Sequence, residues 1–407
     1  MRKNLILGTL LLMISSMAQA QVAVRGQMVY TMDGPVITNG VVVVENGKIS
    51  AIGTYGSVRI PDGYEVLEAA VVTPGLIDIH ATVGLTGIFN SPADQDHLDP
   101  SAPIQPELRA VDAYNPQEPL VAWVRSFGVT TVHTGPSPGA PISGQTMITK
   151  TRGATVVDAV IDEETALAVT LTPPSGFRSN NELFTTRAKT VALLRQDLIE
   201  AQEYREGLHR AAKDDEAQAP ARDLHLETMV KVLDGDLALM VTAHPTRDMV
   251  NALHLAEEFD LRLWLDGESE AHQIIPLIKA SGVPVLLHPT MMRAFGEVKN
   301  ASMETAAQLQ AAGIPFGIQT GYEPYVPKVR VVLLEAAVAA AHGLGFDDAL
   351  AAITIEPARI LGIDDRVGSL ARGKDGDLAL YDGDPFEYTT HCVGVIIEGE
   401  IVSLDVR

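Results

Sequence analysis

The chain is poor in cysteine, in basic residues and in long apolar runs, and each shortage removes a class of protein. Cys392 is the one cysteine in 407 residues, so no intramolecular disulfide can form. A lone thiol of this kind reads most simply as a buried apolar residue. Lys and Arg total 30 against 52 Asp and Glu, a formal charge of -22. That balance excludes nucleic acid and anionic membrane as partners, since both need clustered basic side chains. There is no Gly-x-Ser-x-Gly elbow, so the sequence offers no serine nucleophile of the usual strand-turn-helix kind.

The one strongly apolar stretch, Leu5 to Ile14, follows Arg2 and Lys3 and runs into Ala18-Gln19-Ala20 before Gln21. A membrane anchor needs about 20 apolar residues. This shorter stretch with small residues at its end is the layout of a signal peptide cleaved after Ala20, and it predicts a periplasmic or secreted protein with no membrane attachment after signal removal.

Past residue 20, short valine and isoleucine runs alternate with turn dipeptides such as Asn39-Gly40 and Asn46-Gly47 up to residue 72, which predicts consecutive antiparallel strands. The last stretch has the same character, with strands expected at Asp377–Tyr381 and Val393–Ile397. The middle differs. Strand-like runs (129–132, 169–171, 237–242, 261–265, 283–287, 315–318) alternate with amphipathic helices (247–259, 271–279, 303–312, 329–341), the pattern of a parallel sheet covered by helices. A long polar helix over 182–213 reads as a surface insertion. The expected division is therefore a signal peptide (1–20), an amino-terminal part of a β-sandwich (21–72), an α/β barrel (73–362) and a carboxy-terminal part of the same sandwich (363–407).

The most informative run is Thr73-Pro74-Gly75-Leu76-Ile77-Asp78-Ile79-His80-Ala81-Thr82. It resembles the Pro-Gly-Leu-Ile-Asp-x-His-x-His strand of the amidohydrolase superfamily. Phe127-Gly128-Val129-Thr130-Thr131-Val132, the helix Ala351–Gly362 and Arg366-Val367-Gly368-Ser369-Leu370-Ala371-Arg372-Gly373-Lys374-Asp375-Gly376-Asp377-Leu378 extend the resemblance to the imidazolonepropionase-like branch, across almost the whole chain. The resemblance implies a (β/α)8 TIM-type barrel with a small β-sandwich formed from both chain ends. It also implies a metal site at the carboxyl ends of the barrel strands and hydrolysis of carbon–nitrogen bonds by metal-bound hydroxide, with an aspartate moving protons.

Position by position, the carry-over is incomplete. His80 is kept, but Thr82 stands where the second histidine of the strand belongs. No lysine lies between Lys150 and Lys189 to bridge two ions. The strand ending Val241-Thr242-Ala243-His244 supplies His244. The family has a histidine near Gly267, in Leu263-Trp264-Leu265-Asp266-Gly267-Glu268, and its catalytic aspartate falls at Gly321. The metal candidates are thus His80 and His244, with His288 and His133 as replacement ligands and Asp266, Glu268 and Glu323 as further donors. Isolated histidines at strand ends are more often hydrogen-bonded structural residues.

Two functions compete. One is a periplasmic amidohydrolase with a mononuclear or rebuilt metal centre. The other, which the losses favour, is a protein with metal-dependent hydrolysis weakened or lost, binding a small molecule at the barrel mouth or partnering an active paralogue, with homo-oligomerisation open. On this reading the cofactor is none or a single weakly bound zinc, and no catalytic residue is assigned. Restoring Thr82→His, Gly267→His and Gly321→Asp is expected to raise zinc affinity. The glycine-rich loop Gly135–Gly144 either offers backbone amides to an anion or is a rigid connection.

Overall fold

The computed structural model describes residues 21–89, 91–172, 178–179, 182–183, 186–288, 294, 296–321 and 332–407. The expected signal peptide, Glu323 and the start of the helix expected over 329–341 lie outside these residues. No helix among the described residues is long and apolar enough to cross a membrane.

Four strands come first: β1 (Gln21–Val29), β2 (Ile37–Glu45), β3 (Lys48–Thr54) and β4 (Glu65–Pro74). β1, β2 and β3 pair antiparallel in succession, and Asn46-Gly47, both with positive φ (56° and 79°), makes the tight turn between β2 and β3. β4 departs from the expected hairpin series. It lies parallel to β1, with Val22 opposite Glu65 and Val29 opposite Val72. The connection through Pro61-Asp62-Gly63 is long enough to carry the chain across the sheet rather than fold it back, as parallel pairing requires.

The middle begins with β5 (Leu76–Ala81), α1 (Ala110–Ala113), α2 (Pro119–Arg125), β6 (Val129–Thr134), β7 (Ile142–Gln145) and β8 (Met147–Lys150). α3 (Val156–Ala159), β9 (Val160–Asp162), β10 (Ala166–Thr170) and the two-residue strands β11 (Arg178–Ser179) and β12 (Glu182–Leu183) follow. The long helix α4 (Arg187–Lys213) begins five residues later than the sequence predicts, where the Thr186 side chain accepts from the Lys189 amide and caps it.

Beyond α5 (Leu224–Leu233) strands and helices alternate regularly: β13 (Ala238–Thr242), α6 (Thr246–Phe259), β14 (Leu263–Gly267), α7 (Ile275–Ser281), β15 (Val285–Leu287), α8 (Thr305–Ala312), β16 (Phe316–Ile318) and α9 (Val332–Ala339). α10 (Phe346–Ala351), α11 (Ile355–Leu361), β17 (Leu378–Tyr381), β18 (Cys392–Ile397) and β19 (Glu400–Ser403) complete the chain. β19 was not expected from sequence. Glu398-Gly399, both at positive φ, turns β18 back into it.

The result is an α/β fold with mixed sheets. Strands from the two ends share one seven-stranded sheet in the order β19-β18-β17-β4-β1-β2-β3, in which β17 lies against β4. In the middle, β10, β13, β14, β15 and β16 run parallel with β7 antiparallel at one edge, while β5, β6, β8 and β9 form a second sheet. The two sheets meet where Gly321, just past β16, bridges Ala81 of β5 in parallel and its amide donates to the His80 carbonyl at 3.1 Å. They meet again where Thr146 exchanges backbone bonds with Thr165 and Ala166.

Ile77, Ile79, Ile148, Met240, Trp264 and Leu286 belong to one buried cluster between the sheets. Successive residues of a strand alternate faces. One step further along the face of Met240, Trp264 and Leu286 stand Thr242, Asp266 and His288, so the apolar cluster gives way to polar groups at the carboxyl ends of the strands.

Candidate functional site

His80 is buried at the end of β5, and its Nδ1 lies 2.8 Å from Asp266 Oδ1. Asp266 is held from two further sides, accepting from Thr242 Oγ1 at 2.6 Å and from Gln319 Nε2 at 2.8 Å. Burial alone would raise the Asp266 carboxyl, but the His80 ring and these hydrogen bonds overcome it and hold the group well below the usual carboxylate range. For His80 burial opposes protonation, and Asp266, by charge and hydrogen bond, pushes the imidazole above its ordinary value. The His80 Nε2 is buried without a hydrogen-bond partner.

Asp78 joins the ends of β5 and β16. Its oxygens accept from the Thr320 amide at 3.1 Å and the Thr320 hydroxyl at 2.5 Å, while burial pushes the carboxyl up to about 6 against those bonds. Thr82, in place of the second histidine, is buried with its hydroxyl unpartnered. Its backbone carbonyl accepts from the Leu85 and Thr86 amides, so the chain turns away here instead of continuing as strand.

The other histidines have separate attachments. His133 sits beside His80, ring centroids 5.9 Å apart, with Nδ1 2.7 Å from the Ile79 carbonyl and Nε2 2.7 Å from Thr146 Oγ1. Both nitrogens are thereby spent on strand partners. Burial and the neighbouring His80 press its imidazole down to about 3. His133, expected as a replacement ligand, thus lies beside His80 with both ring nitrogens engaged. The His244 ring is 2.9 Å from Ser269 Oγ, and burial with His288 nearby lowers it to about 4. His288 directs Nδ1 to the Gln319 carbonyl at 3.3 Å, and its amide donates to the Gly267 carbonyl at 3.2 Å.

Gly267 and Gly321 hold the clearest finding. Both have positive φ, 90° and 61°. A Cβ on Gly267 would lie 2.8 Å from His244 Cε1, and one on Gly321 would lie 2.8 Å from His288 Cδ2. The space in which a family histidine or aspartate would begin is filled by the rings of His244 and His288. Side chains larger than hydrogen at these positions meet both backbone strain and a collision. Gly267→His and Gly321→Asp, which with Thr82→His are expected to raise zinc affinity, would have to displace these rings.

Next to Gly267, Glu268 is fully buried with φ of 50°, its carboxyl met by the Ala243 and Asp266 backbones. Burial first, and then the charge of Asp266, raise it well above an ordinary glutamate. The amides of the glycine-rich loop are also committed. Gly135 donates to the Ala81 carbonyl at 3.1 Å, Ser137 to the His97 carbonyl at 2.8 Å and Gly139 to Thr170 Oγ1 at 3.0 Å, so the loop is a tied connection.

A hydrolytic zinc centre takes three protein ligands and a water. Among the described residues no three His, Cys, Asp or Glu side chains converge as such a centre needs. With His80 held by Asp266 and His133 spent, the residues present do not fit it. Lys150 offers no bridge, because its ammonium is buried at the opposite end of the fold against Asp375 and Asp377. Thr242, Ser269, Gln319 and Thr320 escaped the sequence reading. Each stands at or just past a strand end, where polar side chains signal a polar mouth but not its pairings.

Comparison with known proteins agrees with this architecture. The Amidohydrolase family pattern matches residues 321–403. The amidohydrolase tasK of Hapsidospora irregularis is 25% identical over 88% of this chain, which spans 39% of that relative's length. The imidazolonepropionase of Stenotrophomonas maltophilia is 26% identical, with 87% of this chain and 89% of the relative covered. The crystal structure of an amidohydrolase from Thermotoga maritima superposes with a TM-score of 0.86 at 26% identity, covering 94% of this chain and all of that one. The chain belongs to the amidohydrolase superfamily, in the branch that imidazolonepropionase represents.

Proposed function

We propose that this is an exported superfamily member, descended from hydrolases of carbon–nitrogen bonds, whose metal-dependent hydrolysis is weakened or lost and whose barrel mouth binds a small amide or cyclic amide. The observation that carries this reading is the filling of the Gly267 and Gly321 spaces by His244 and His288, together with the tie between His80 and Asp266. A side chain locked to a protein partner must leave it before it can ligate an ion, and the space for new ligands is gone. General acid–base assistance is worth roughly 10²- to 10⁴-fold, so the missing aspartate alone would leave hydrolysis very slow.

In the same reading the two middle sheets form one closed (β/α)8 barrel over residues 73–362. The Ala81–Gly321 bridge and the likeness to the Thermotoga protein support it. The seven-stranded sheet is the composite sandwich of residues 21–72 and 363–407. Alternate residues such as Val22, Val24, Val42 and Val44 on one face, and Ala23, Val41 and Val43 on the other, enter separate buried clusters, as a layered unit requires.

The test has two readouts. Protein purified without chelator is analysed for metal, then assayed with and without zinc on acyl amino acids, dipeptides and cyclic amides, with binding of the same compounds followed by calorimetry. Well under one zinc per chain and binding without turnover are expected. Metal-dependent turnover near 10 per second, an ordinary enzyme rate, would establish the rival reading of an active enzyme built on the unpartnered Nε2 of His80.

A further inference from the structure

A cavity of about 450 Å³ lies beside the candidate site, walled by Leu85, His97, Glu107, Arg109, Pro136 and Ser143 among others. Pro136 is the link to the site, for its backbone faces the His80 ring from the other side. The segment carrying Glu107 and Arg109 is laid along β7. The Gln145 amide donates to the Leu108 carbonyl at 2.7 Å, and the Gln145 side chain donates to the Pro106 carbonyl at 2.9 Å and to Thr228 of α5 at 3.0 Å.

One imidazole joins this wall to the helical insertion. His225, in the first turn of α5, has Nε2 2.8 and 2.9 Å from the two carboxylate oxygens of Asp197 on α4, and Nδ1 3.6 Å from Glu107 of the cavity wall. Asp223, the cap of α5, is the third acid facing it. The basic side chains around it are engaged elsewhere: Arg222 with Glu227, Arg205 with Asp234, Arg195 with Glu258, and Arg109 with Glu163 and Glu164. Three acids from three elements therefore share one switchable cation, and Asp197 is buried.

We propose that His225 is a proton-operated latch, which when charged ties α4 and α5 to the Glu107 wall of the cavity and when neutral releases that wall. A charged ring has an N–H for each carboxylate. A neutral ring has only one, so it keeps Asp197 or Glu107 and leaves the two acids to repel each other across it. Partial burial disfavours the charged ring, but Asp197, Glu107 and Asp223 outweigh that and raise it above an ordinary histidine. A group raised in the folded state contributes stability that is fully present below the ordinary histidine value, about 6.5, and is lost as pH climbs through the folded value. The latch is independent of whether the neighbouring site binds metal or hydrolyses anything.

The test compares the full chain with His225→Gln in thermal melts from pH 5.5 to 8.5. The unmodified protein should melt on the order of 2 °C or more above the variant at pH 5.5, and the gap should close by pH 8.5. Hydrogen exchange in peptides covering 105–109 should rise with pH, after correction for intrinsic rates, in the unmodified protein and stay flat in the variant. Should His225→Gln not fold, Glu107→Gln removes one arm of the latch, and its smaller gap should close in the same direction. A gap that is constant or widens with pH, or exchange at 105–109 that ignores pH in the unmodified protein, overturns the latch.

Discussion

Two buried polar clusters sit at opposite ends of this fold, and they are built on different principles. At the seam between β8 and the end sheet, the Lys150 ammonium is enclosed by Asp375 and Asp377, with Lys48 and Arg366 also on Asp375. Lys150 is 3% exposed and both carboxylates are buried, so the central charges are met by one another away from water. At the mouth, the His80–Asp266 pair is well held, yet the Thr82 hydroxyl and the second nitrogen of His80 are buried with bonding capacity unused. Native interiors seldom leave polar atoms unpaired, and where they do a reason beyond stability is to be sought. The seam is a fastening. The mouth leaves polar groups unspent.

The difference can be broken by substitution, and the largest effect belongs at the seam. Lys150→Met leaves the buried Asp377 without its cation and takes one of three from Asp375, and should cost about 3–5 kcal/mol in denaturant unfolding. A loss under about 1 kcal/mol would mean that water reaches the cluster and that it is no fastening. An intermediate loss, about 2 kcal/mol, is expected for Gly267→Ala, from positive φ and the contact with His244 together. Adding His244→Ala should recover the part due to collision while the backbone strain stays. If the pair shows no coupling in this double cycle, His244 does not fill the space beside Gly267.

The smallest effect has the opposite sign. Glu268→Gln removes a carboxyl that is raised by burial and by Asp266 and is met only by the Ala243 and Asp266 backbones. A raised acid lowers stability as pH climbs above its ordinary value, because the folded state then resists giving up the proton. The substitution should therefore be neutral near pH 5 and stabilising by about 0.5–1 kcal/mol near pH 8. Destabilisation that grows with pH would show that the Glu268 carboxylate serves a bound group.

The contrast also explains what the sequence discloses. The alternation of strands and helices from residue 237 to 318 is legible because strands buried on both faces are near-continuous apolar runs. His80 and His244 are legible because a motif frames them. The parallel placement of β4 is not, since valine alternation sets which face a side chain takes and says nothing about the direction of the neighbouring strand. Nor is the pairing of His80 with Asp266, 186 positions away. Asp266 reads equally well as a ligand or as an anchor until Thr242 and Gln319 are seen to hold it. The occupied spaces beside Gly267 and Gly321 are invisible in one dimension, because a glycine shows what is absent and not what has moved in.

The order of strands in the end sheet has a consequence for how the chain comes into being. β4 is flanked by β1 and β17, so one of its edges stays open until residues 378–381 have been synthesised, about 300 residues after β4 itself. Until then Val71 and Val72 present an apolar strand edge, the kind that pairs with whatever extended segment it meets. A nascent or truncated chain ending before β17 is thus the form most exposed to aggregation, and the closing of this edge is a long-range event that assembly has to wait for.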